Sequence, residues 1–139
     1  MIVDPSAIVA VLKPEPGWEK IRDLLDASRR SFLSAASYVE ASIVVDRWKD
    51  ANLSRRFDEL IEQFEIAVEP VTIEQARIAR QAYRIYGRGS GHAAKLDFGD
   101  CFSYALARVK REPILFKGAD FQHTDLRTAI SWLICLLSL

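Results

Sequence analysis

The sequence has few residues of the types that hold soft metals or form disulfides. It contains two cysteines, Cys101 and Cys135, and two histidines, His92 and His123, among 139 residues. Neither cysteine has a partner at the spacing of a metal site, and both lie among apolar residues, which is typical of buried free thiols in a reducing compartment. Neither histidine has a second ligand at suitable spacing, so a zinc site is not expected.

The chain also lacks an excess of charge of either sign and any internal repeat. Lysine plus arginine and aspartate plus glutamate both number 19, so a nucleic-acid or membrane footprint must be local. The opening MIVDPSAIVAVL has no basic leader, and Asp4 and Pro5 interrupt its apolar residues, so we expect a cytoplasmic protein. The apolar end, residues 130–139, is shorter than the roughly 20 residues that span a bilayer.

Short apolar runs that suit strands alternate with amphipathic segments that suit helices. Half of the residues are hydrophobic and 27% are charged, as in globular domains. The strand candidates are 1–3, 31–33, 66–68 and 113–116, and the helix candidates are 5–13, 18–30, 34–50, 53–64, 72–87 and a segment after Asp97. Strands separated by helices predict an α/β fold with a largely parallel sheet covered on both faces.

Two aspartates follow predicted strands. Asp4 comes directly after the first strand, and Asp120 lies four residues after the last. Because ligands gather at the carboxyl ends of parallel strands, both are candidates for one crevice. Each also has a structural interpretation, since Asp4 suits the N-cap of a helix that begins at Pro5, and Asp120 follows Gly118 in a possible turn.

Two further acids belong to helices with apolar faces. Glu40 has small or apolar neighbours three and four residues away, so burial of its carboxylate requires a cation or a hydrogen-bond donor, and an arginine would also serve. Asp100 begins DCFSYALA, which is typical of a buried helix. Asp97 suits the N-cap of that helix, with Asp100 at its third position.

Together these acids suit a hard divalent cation. The set Asp4, Glu40, Asp100 and Asp120 offers only oxygen ligands, which Mg²⁺ and Mn²⁺ prefer, and such ions keep several waters. Without a cation, clustered carboxylates repel one another and raise some of their pKa values. The sequence therefore predicts a magnesium or manganese site.

A local basic surface precedes the acidic stretch. Residues 72–95 contain the single acid Glu74 and five cations: Arg77, Arg80, Arg84, Arg88 and Lys95. The arginines recur at steps of three or four residues and form one stripe on the predicted helix. A solvated helix face is the simpler interpretation, and contact with an RNA backbone is the functional one because arginine and lysine bind phosphates.

Four segments in this order resemble the PIN-domain ribonucleases, specifically the VapC-type toxins of toxin–antitoxin modules. They are IVDPSAIVAVL, SAASYVEASIVV, LDFGDCFSYALA and ILFKGADFQHTDL, within residues 1–127. The resemblance implies a single three-layer α/β/α domain and a Mg²⁺- or Mn²⁺-dependent endoribonuclease that leaves a 5′-phosphate and a 3′-hydroxyl. Residues 128–139 are then an apolar C-terminal tail of unknown role.

The resemblance implies that the four acids are catalytic and hold the metal. Asp4 and Asp100 are the best candidates for direct ligands, and Ser6 helps arrange the first loop. Glu40 and Asp120 would hold waters around the ion or orient the nucleophile.

Two residues differ from the usual family pattern. Pro5 stands where Thr or Ser is usual, which removes a hydroxyl and an N–H near the site. Asp97 stands where close relatives commonly have Asn, so it adds a carboxylate and becomes an additional candidate metal ligand that could replace Asp100.

The resemblance further implies an RNA substrate, a cognate antitoxin that blocks the acidic pocket, and a homodimer. The short apolar end is the reason to expect no membrane association. The alternative hypothesis is a catalytically weak binding module that acts mainly as the antitoxin's partner in a DNA-bound repressor complex. A third hypothesis is another Mg²⁺-dependent phosphoryl-transfer enzyme, although residues 4–6 lack the second aspartate of many phosphatase loops.

Overall fold

The computed structural model describes residues 1–130, and within that range it contains four strands and six helices. The strands are β1 (Ile2–Val3), β2 (Ser31–Ser34), β3 (Ile66–Glu69) and β4 (Ile114–Leu115). The helices are α1 (Pro5–Leu12), α2 (Trp18–Ala27), α3 (Ala35–Arg47), α4 (Ala51–Gln63), α5 (Ile73–Tyr86) and α6 (Asp100–Lys110), and a 3₁₀ turn covers Phe121–His123. Every strand and helix predicted from the sequence is present, with ends that differ by a few residues.

The four strands form one parallel sheet in the order β3-β2-β1-β4. Side chains alternate along β1, β2 and β4 and enter two different cores. One core joins Ile2, Phe32 and Ile114 to α5 and α6. The other joins Val3, Leu33 and Leu115 to α1, α2, α3 and α4. This arrangement confirms the three-layer α/β/α architecture, and it places the carboxyl ends of all strands at one edge.

The connections at that edge are short and begin helices. Asp4 follows β1 and α1 starts at Pro5, where the missing N–H would have no helical partner in any case. Ser34 ends β2 and α3 starts at the next residue. The prediction that α6 is a buried helix is confirmed, because Cys101 and residues 103–107 are buried.

Thr128 lies along the edge of the sheet, and residues 129–130 are helical. Ile114 and Thr128 form an isolated parallel bridge, and Ala129 is buried. The rest of the predicted apolar tail, residues 131–139, lies outside the described residues.

Two compositional expectations can be compared with this fold. Cys101 is a buried free thiol, as expected, and burial raises its pKa to about 11, with the charges of Asp100 and Asp97 adding to the shift. Cys135 falls outside the described range. None of the helices in residues 1–130 has the length and apolar composition needed to span a bilayer.

Candidate active site

Asp4 is both a helix cap and a buried acid. Only 4% of its surface is exposed. Its Oδ2 accepts hydrogen bonds from the N–H of Ser6 at 3.0 Å and from the Ser6 hydroxyl at 2.6 Å, and its Oδ1 accepts one from the hydroxyl of Ser103 at 2.7 Å. Burial raises the pKa of Asp4, the hydrogen bonds from Ser6 and Ser103 oppose that shift, and the charge of Asp97 adds to it.

Ser6 connects this first loop to the segment after β4. Its hydroxyl accepts a hydrogen bond from the Lys117 N–H at 3.0 Å, while donating to Asp4. The same segment carries Asp120, an exposed residue that precedes the 3₁₀ turn and makes no capping hydrogen bond with its side chain. Ser6 therefore holds together two strand-end loops that both carry a predicted site acid.

Glu40 extends from α3 to the start of α6. A Cβ on Gly99 would lie 2.1 Å from Glu40 Oε2, so the carboxylate fills the space that a side chain would need there. Burial raises the pKa of Glu40 to about 7, and the charges of Asp4 and Asp97 contribute to the shift. The ion pairs found in residues 1–130 give Glu40 no arginine or lysine partner.

Asp97 and Asp100 cap one another across the turn before α6. The Asp97 N–H donates to Asp100 Oδ2, and the Asp100 N–H donates to Asp97 Oδ1, each at 2.9 Å. The capping hydrogen bond predicted for Asp97 is present, but the prediction that Asp100 is the third helical residue is wrong. Residues 98–99 form a turn, and α6 begins at Asp100 itself.

Asp100 is a partly buried acid at the start of α6. Burial raises its pKa to about 8, the hydrogen bond from Asp97 opposes the shift, and the charges of Asp4, Asp97 and Asp120 add to it. Asp100 therefore lies within electrostatic reach of Asp4, Asp97 and Asp120. Glu40 lies within reach of Asp4 and Asp97.

The cluster carries negative charge that no cation of the described chain neutralises. None of the ion pairs within residues 1–130 involves one of the five acids. In the same range, no group of three or more His, Cys, Asp or Glu side chains is arranged so that all of them could bind one metal ion directly. An all-oxygen donor set of this kind fits Mg²⁺ or Mn²⁺, since Mg²⁺ is usually bound through one or two carboxylates and keeps several waters.

The predicted basic stripe leads toward this cluster. Arg77, Arg80 and Arg84 are exposed on α5, and none of them has an ion-pair partner in the described part of the chain. The end of α5 is joined to the acidic segment, because the Leu96 N–H donates to the Tyr86 carbonyl at 2.8 Å.

Arg88 and Lys95 lie at this junction. The Arg88 N–H donates to the Leu96 carbonyl at 2.9 Å, and Lys95 is exposed two residues before Asp97. At about 1.5 Å per helical residue, Arg77 is roughly 15 Å farther along the surface. The stripe therefore has one end next to the acidic segment, at Arg88 and Lys95, and runs along α5 away from it to Arg77.

Two serines of the site were missed in the sequence. Ser37 and Ser103 are both fully buried, and their hydroxyl oxygens are 3.3 Å apart. Ser37 precedes Glu40 by three residues and Ser103 follows Asp100 by three, so each lies one helical turn from an acid. A hydroxyl one turn from a candidate acid, on an otherwise apolar helix face, is the pattern that would have indicated them.

A surface cleft away from the acids is lined by other residues. A cleft of about 470 Å³ lies between α5 and the end of α6, where Arg108 and Asp125 line it. Asp125 pairs with Arg108 and accepts a hydrogen bond from the Tyr104 hydroxyl at 2.7 Å. This acid thus has its own partners, which distinguishes it from the acids at the sheet edge.

Comparisons with known proteins agree with this architecture. The model of the PIN domain family matches residues 1–126. Ribonuclease VapC28 of Mycobacterium tuberculosis is 55% identical over 130 residues, which are 94% of this chain and 98% of that protein. Ribonuclease VapC42 of the same species is 50% identical over 129 residues, covering 93% and 98% of the two chains.

A solved structure has the same fold. The crystal structure of Mycobacterium tuberculosis VapC20, described as a sarcin-ricin loop cleaving toxin, superposes with a TM-score of 0.70 at 19% identity. The match covers 90% of this chain and 95% of that one. At this identity the likeness shows the fold.

Proposed function

Because this chain belongs to the PIN-domain family, among the VapC ribonucleases of toxin–antitoxin modules, we propose that it hydrolyses RNA at the acidic cluster with Mg²⁺ or Mn²⁺. The observation that carries this proposal is the group of carboxylates at the carboxyl edge of the sheet with no cation of the described chain to neutralise them. Such a group is costly for a protein unless a cation binds there.

The surroundings of each acid indicate whether it binds the cation directly or through water. Asp4 and Asp100 are the proposed direct ligands, because Asp4 is fixed by three hydrogen bonds and Asp100 is held at the start of a buried helix. Glu40 and the exposed Asp120 lie around them and would orient the attacking water. Ser6 fixes Asp4, and Asp97 caps α6 and adds to the negative field.

The bound cation would polarise the phosphate, lower the pKa of an attacking water and offset the charge that develops in the transition state. Before it binds, the raised pKa values of Glu40 and Asp100 mean that part of the cluster is protonated near neutral pH. Cation binding is therefore expected to release protons. The products inferred from the family are a 5′-phosphate and a 3′-hydroxyl.

The basic stripe is the proposed path of the RNA backbone. Its exposed arginines have no ion-pair partner in the described residues, and its near end joins the segment that carries Asp97 and Asp100. Phosphate contacts of this type supply affinity without reading sequence.

We also propose a cognate antitoxin as partner and a homodimer as the assembled state, both inferred from membership of the family. The exposed side chains of Val39 and Ile43 flank Glu40 on α3, so a protein partner that covered them would also restrict access to the acids. Light scattering of the protein alone and with its antitoxin measures both assemblies. A monomer that binds no antitoxin contradicts this part of the proposal.

The activity is tested with purified protein, single-stranded and structured RNAs, and either Mg²⁺ or EDTA. Asp100→Asn keeps the size of the side chain and removes its charge, and Asp58→Asn on the exposed face of α4 is the matched control. We expect cleavage that requires the metal, survives Asp58→Asn and falls in Asp100→Asn by at least the roughly 10–100-fold that loss of an outer-shell partner costs.

The other outcomes are distinct. Undiminished cleavage by Asp100→Asn places the activity at another site or in a contaminant. Absence of cleavage by the unmodified protein, with retained antitoxin binding, favours the alternative of a binding module in a repressor complex.

A further inference from the structure

We propose that Ser103 is a positioning residue for the reaction, and that a buried chain of hydroxyls from Ser37 through Ser103 fixes which lone pair of Asp4 remains free for the cation. This inference rests on the proposed function, since it concerns how the acidic cluster binds its ion. It assigns a role to two serines that no other part of the mechanism uses.

The hydrogen bonds of Asp4 leave one acceptor position. A carboxylate oxygen has two lone pairs. Both lone pairs of Oδ2 are used by Ser6, through its N–H and its hydroxyl. Oδ1 accepts one hydrogen bond, from Ser103 at 2.7 Å. A cation can therefore meet Asp4 only through the second lone pair of Oδ1, and Ser103 determines which one that is.

The direction of the chain follows from proton counting. Ser103 has a single hydroxyl hydrogen, which it donates to the Asp4 carboxylate. In the 3.3 Å contact between the two serines, Ser37 must then be the donor and Ser103 the acceptor. Both serines are fully buried, so water does not compete for these hydrogen bonds. The hydrogen bonds therefore run in one direction, with Ser37 donating to Ser103 and Ser103 donating to Asp4.

The same chain connects the three elements that carry the central acids. Asp4 directly follows β1, Ser37 lies one turn before Glu40 on α3, and Ser103 lies one turn after Asp100 on α6. A shift of either helix would stretch the hydroxyl contacts. The chain therefore sets the spacing of three carboxylates as well as the orientation of one.

The residue type at 103 supports this role. Its buried neighbours on α6 are Cys101, Tyr104, Ala105, Leu106 and Ala107. Serine has a lower helix propensity than alanine, and a buried hydroxyl is unfavourable unless it is hydrogen-bonded. Packing and helix propensity alone would favour alanine at position 103. The hydrogen bonds of the hydroxyl therefore account for the serine.

The test compares Ser103→Ala with Ser103→Thr, which restores a hydroxyl, and with Ser31→Ala. Ser31 is also buried, its hydroxyl has no hydrogen-bond partner within residues 1–130, and it begins β2 at the end of that strand away from the site. Mn²⁺ binding is measured directly, from the electron paramagnetic resonance signal of the free ion, alongside kcat and KM for RNA and the melting temperature without metal.

We expect Ser103→Ala to weaken Mn²⁺ binding by roughly 10–100-fold, as loss of an outer-shell partner does. It should lower kcat at saturating RNA and leave KM nearly unchanged. Ser103→Thr should retain most Mn²⁺ affinity, and Ser31→Ala should match the unmodified protein. Ser37→Ala should have a smaller effect, and the double variant with Ser103→Ala should be no worse than Ser103→Ala alone, because the two act through one chain.

Each failure has its own signature. If Ser103→Ala binds Mn²⁺ and cleaves RNA like the unmodified protein, the positioning role is wrong and the proposed function stands. If the unmodified protein binds Mn²⁺ without cleaving RNA, and Ser103→Ala still weakens that binding, the positioning role stands and the proposed function fails. A variant that only melts earlier, with Mn²⁺ affinity intact, shows a purely structural serine and overturns the inference.

Discussion

The carboxylate of Glu40 occupies the space that a side chain at Gly99 would fill. The backbone of Gly99 has an ordinary helical conformation, with φ −65° and ψ −40°, so no unusual dihedral angle requires glycine there. The requirement is steric, because the glycine lets an acid of α3 approach the first turn of α6. Glu40 therefore lies against the residue that directly precedes Asp100.

Gly99→Ala should separate activity from stability. The new methyl group displaces the end of a flexible glutamate rather than backbone, and alanine costs less backbone entropy than glycine in helical conformation. We expect the melting temperature to stay the same or rise while RNA cleavage falls at least tenfold, the lower end of outer-shell losses.

The matched control for that substitution is Gly91→Ala, in the loop before the site. No neighbouring atom of the described residues lies within 4 Å of a Cβ at Gly91, but its φ of +84° makes alanine strained. It should therefore lower the melting temperature and preserve activity. The opposite pattern in the two variants would show that the space filled by Glu40 does not matter for catalysis.

Without a divalent cation, stability should decrease as the pH rises through the neutral range. The folded-state pKa values of Glu40 and Asp100, about 7 and about 8, lie above their ordinary values of 4.5 and 3.8. The folded protein therefore binds more protons than the unfolded chain between about pH 4 and pH 8, and its stability is lost as the pH rises through that window.

Thermal melting in EDTA measures this trend, and Mg²⁺ should oppose it. Because the ion binds ionised carboxylates, its stabilising effect should be larger at about pH 8 than at about pH 5.5. In the double variant Glu40→Gln and Asp100→Asn, the melting temperature should depend less on pH, and Mg²⁺ should raise it by less. A slope that persists unchanged in this variant would assign the pH dependence to other groups.

Asp97→Asn should preserve the start of α6 and reduce the charge of the cluster. The amide oxygen of asparagine can still accept the hydrogen bond from the Asp100 N–H. With one negative charge removed, the pKa values of Asp4, Glu40 and Asp100 should all fall. Metal-dependent cleavage should continue.

Asp97→Ala is the companion variant, since it removes the cap as well as the charge. It should cost about 0.5–2 kcal/mol of unfolding free energy by urea denaturation. If Asp97→Asn instead abolishes cleavage, Asp97 is itself a ligand of the ion, and the assignment of ligands between Asp97 and Asp100 must be revised.

Substitutions in the basic stripe should change RNA affinity and its salt dependence together. Arg84→Gln and Arg88→Gln each remove a cation near the acidic segment, and Arg56→Gln on the exposed surface of α4 is the control. For each lost phosphate contact, the slope of log affinity against log salt should decrease by about 1. Filter binding in Ca²⁺ at several salt concentrations measures it, and equal slopes in all variants would favour a solvated helix face.

The order of strands and helices was predictable because each element has its own periodicity. The acids at strand ends were predictable for a related reason, since parallel strands bring their carboxyl ends to one edge. Asp4 and Asp120 are more than a hundred residues apart, but each of them follows a predicted strand. Asp97 was recognised as a cap because Asp100 lies three residues later.

The contacts that complete the site depend on packing between distant elements. The approach of Glu40 to Gly99 and the hydrogen bond of Ser103 to Asp4 join parts of the chain that no local pattern relates. The start of α6 was misplaced because a cap fixes the hydrogen bond and leaves the length of the following turn open. The two long-range contacts, of Glu40 with Gly99 and of Ser103 with Asp4, arise from tertiary packing.

The strand order has a consequence for synthesis on the ribosome. Among the four strands, β1 is translated first and is followed directly by Asp4, but it lies between β2 and β4, and β4 is translated after the other three. At roughly 5–20 residues per second, several seconds pass between translation of Asp4 and of Asp100. A nascent chain therefore cannot assemble this cluster until most of the domain has been translated, so under the proposed function RNA cleavage cannot begin on a partly made domain.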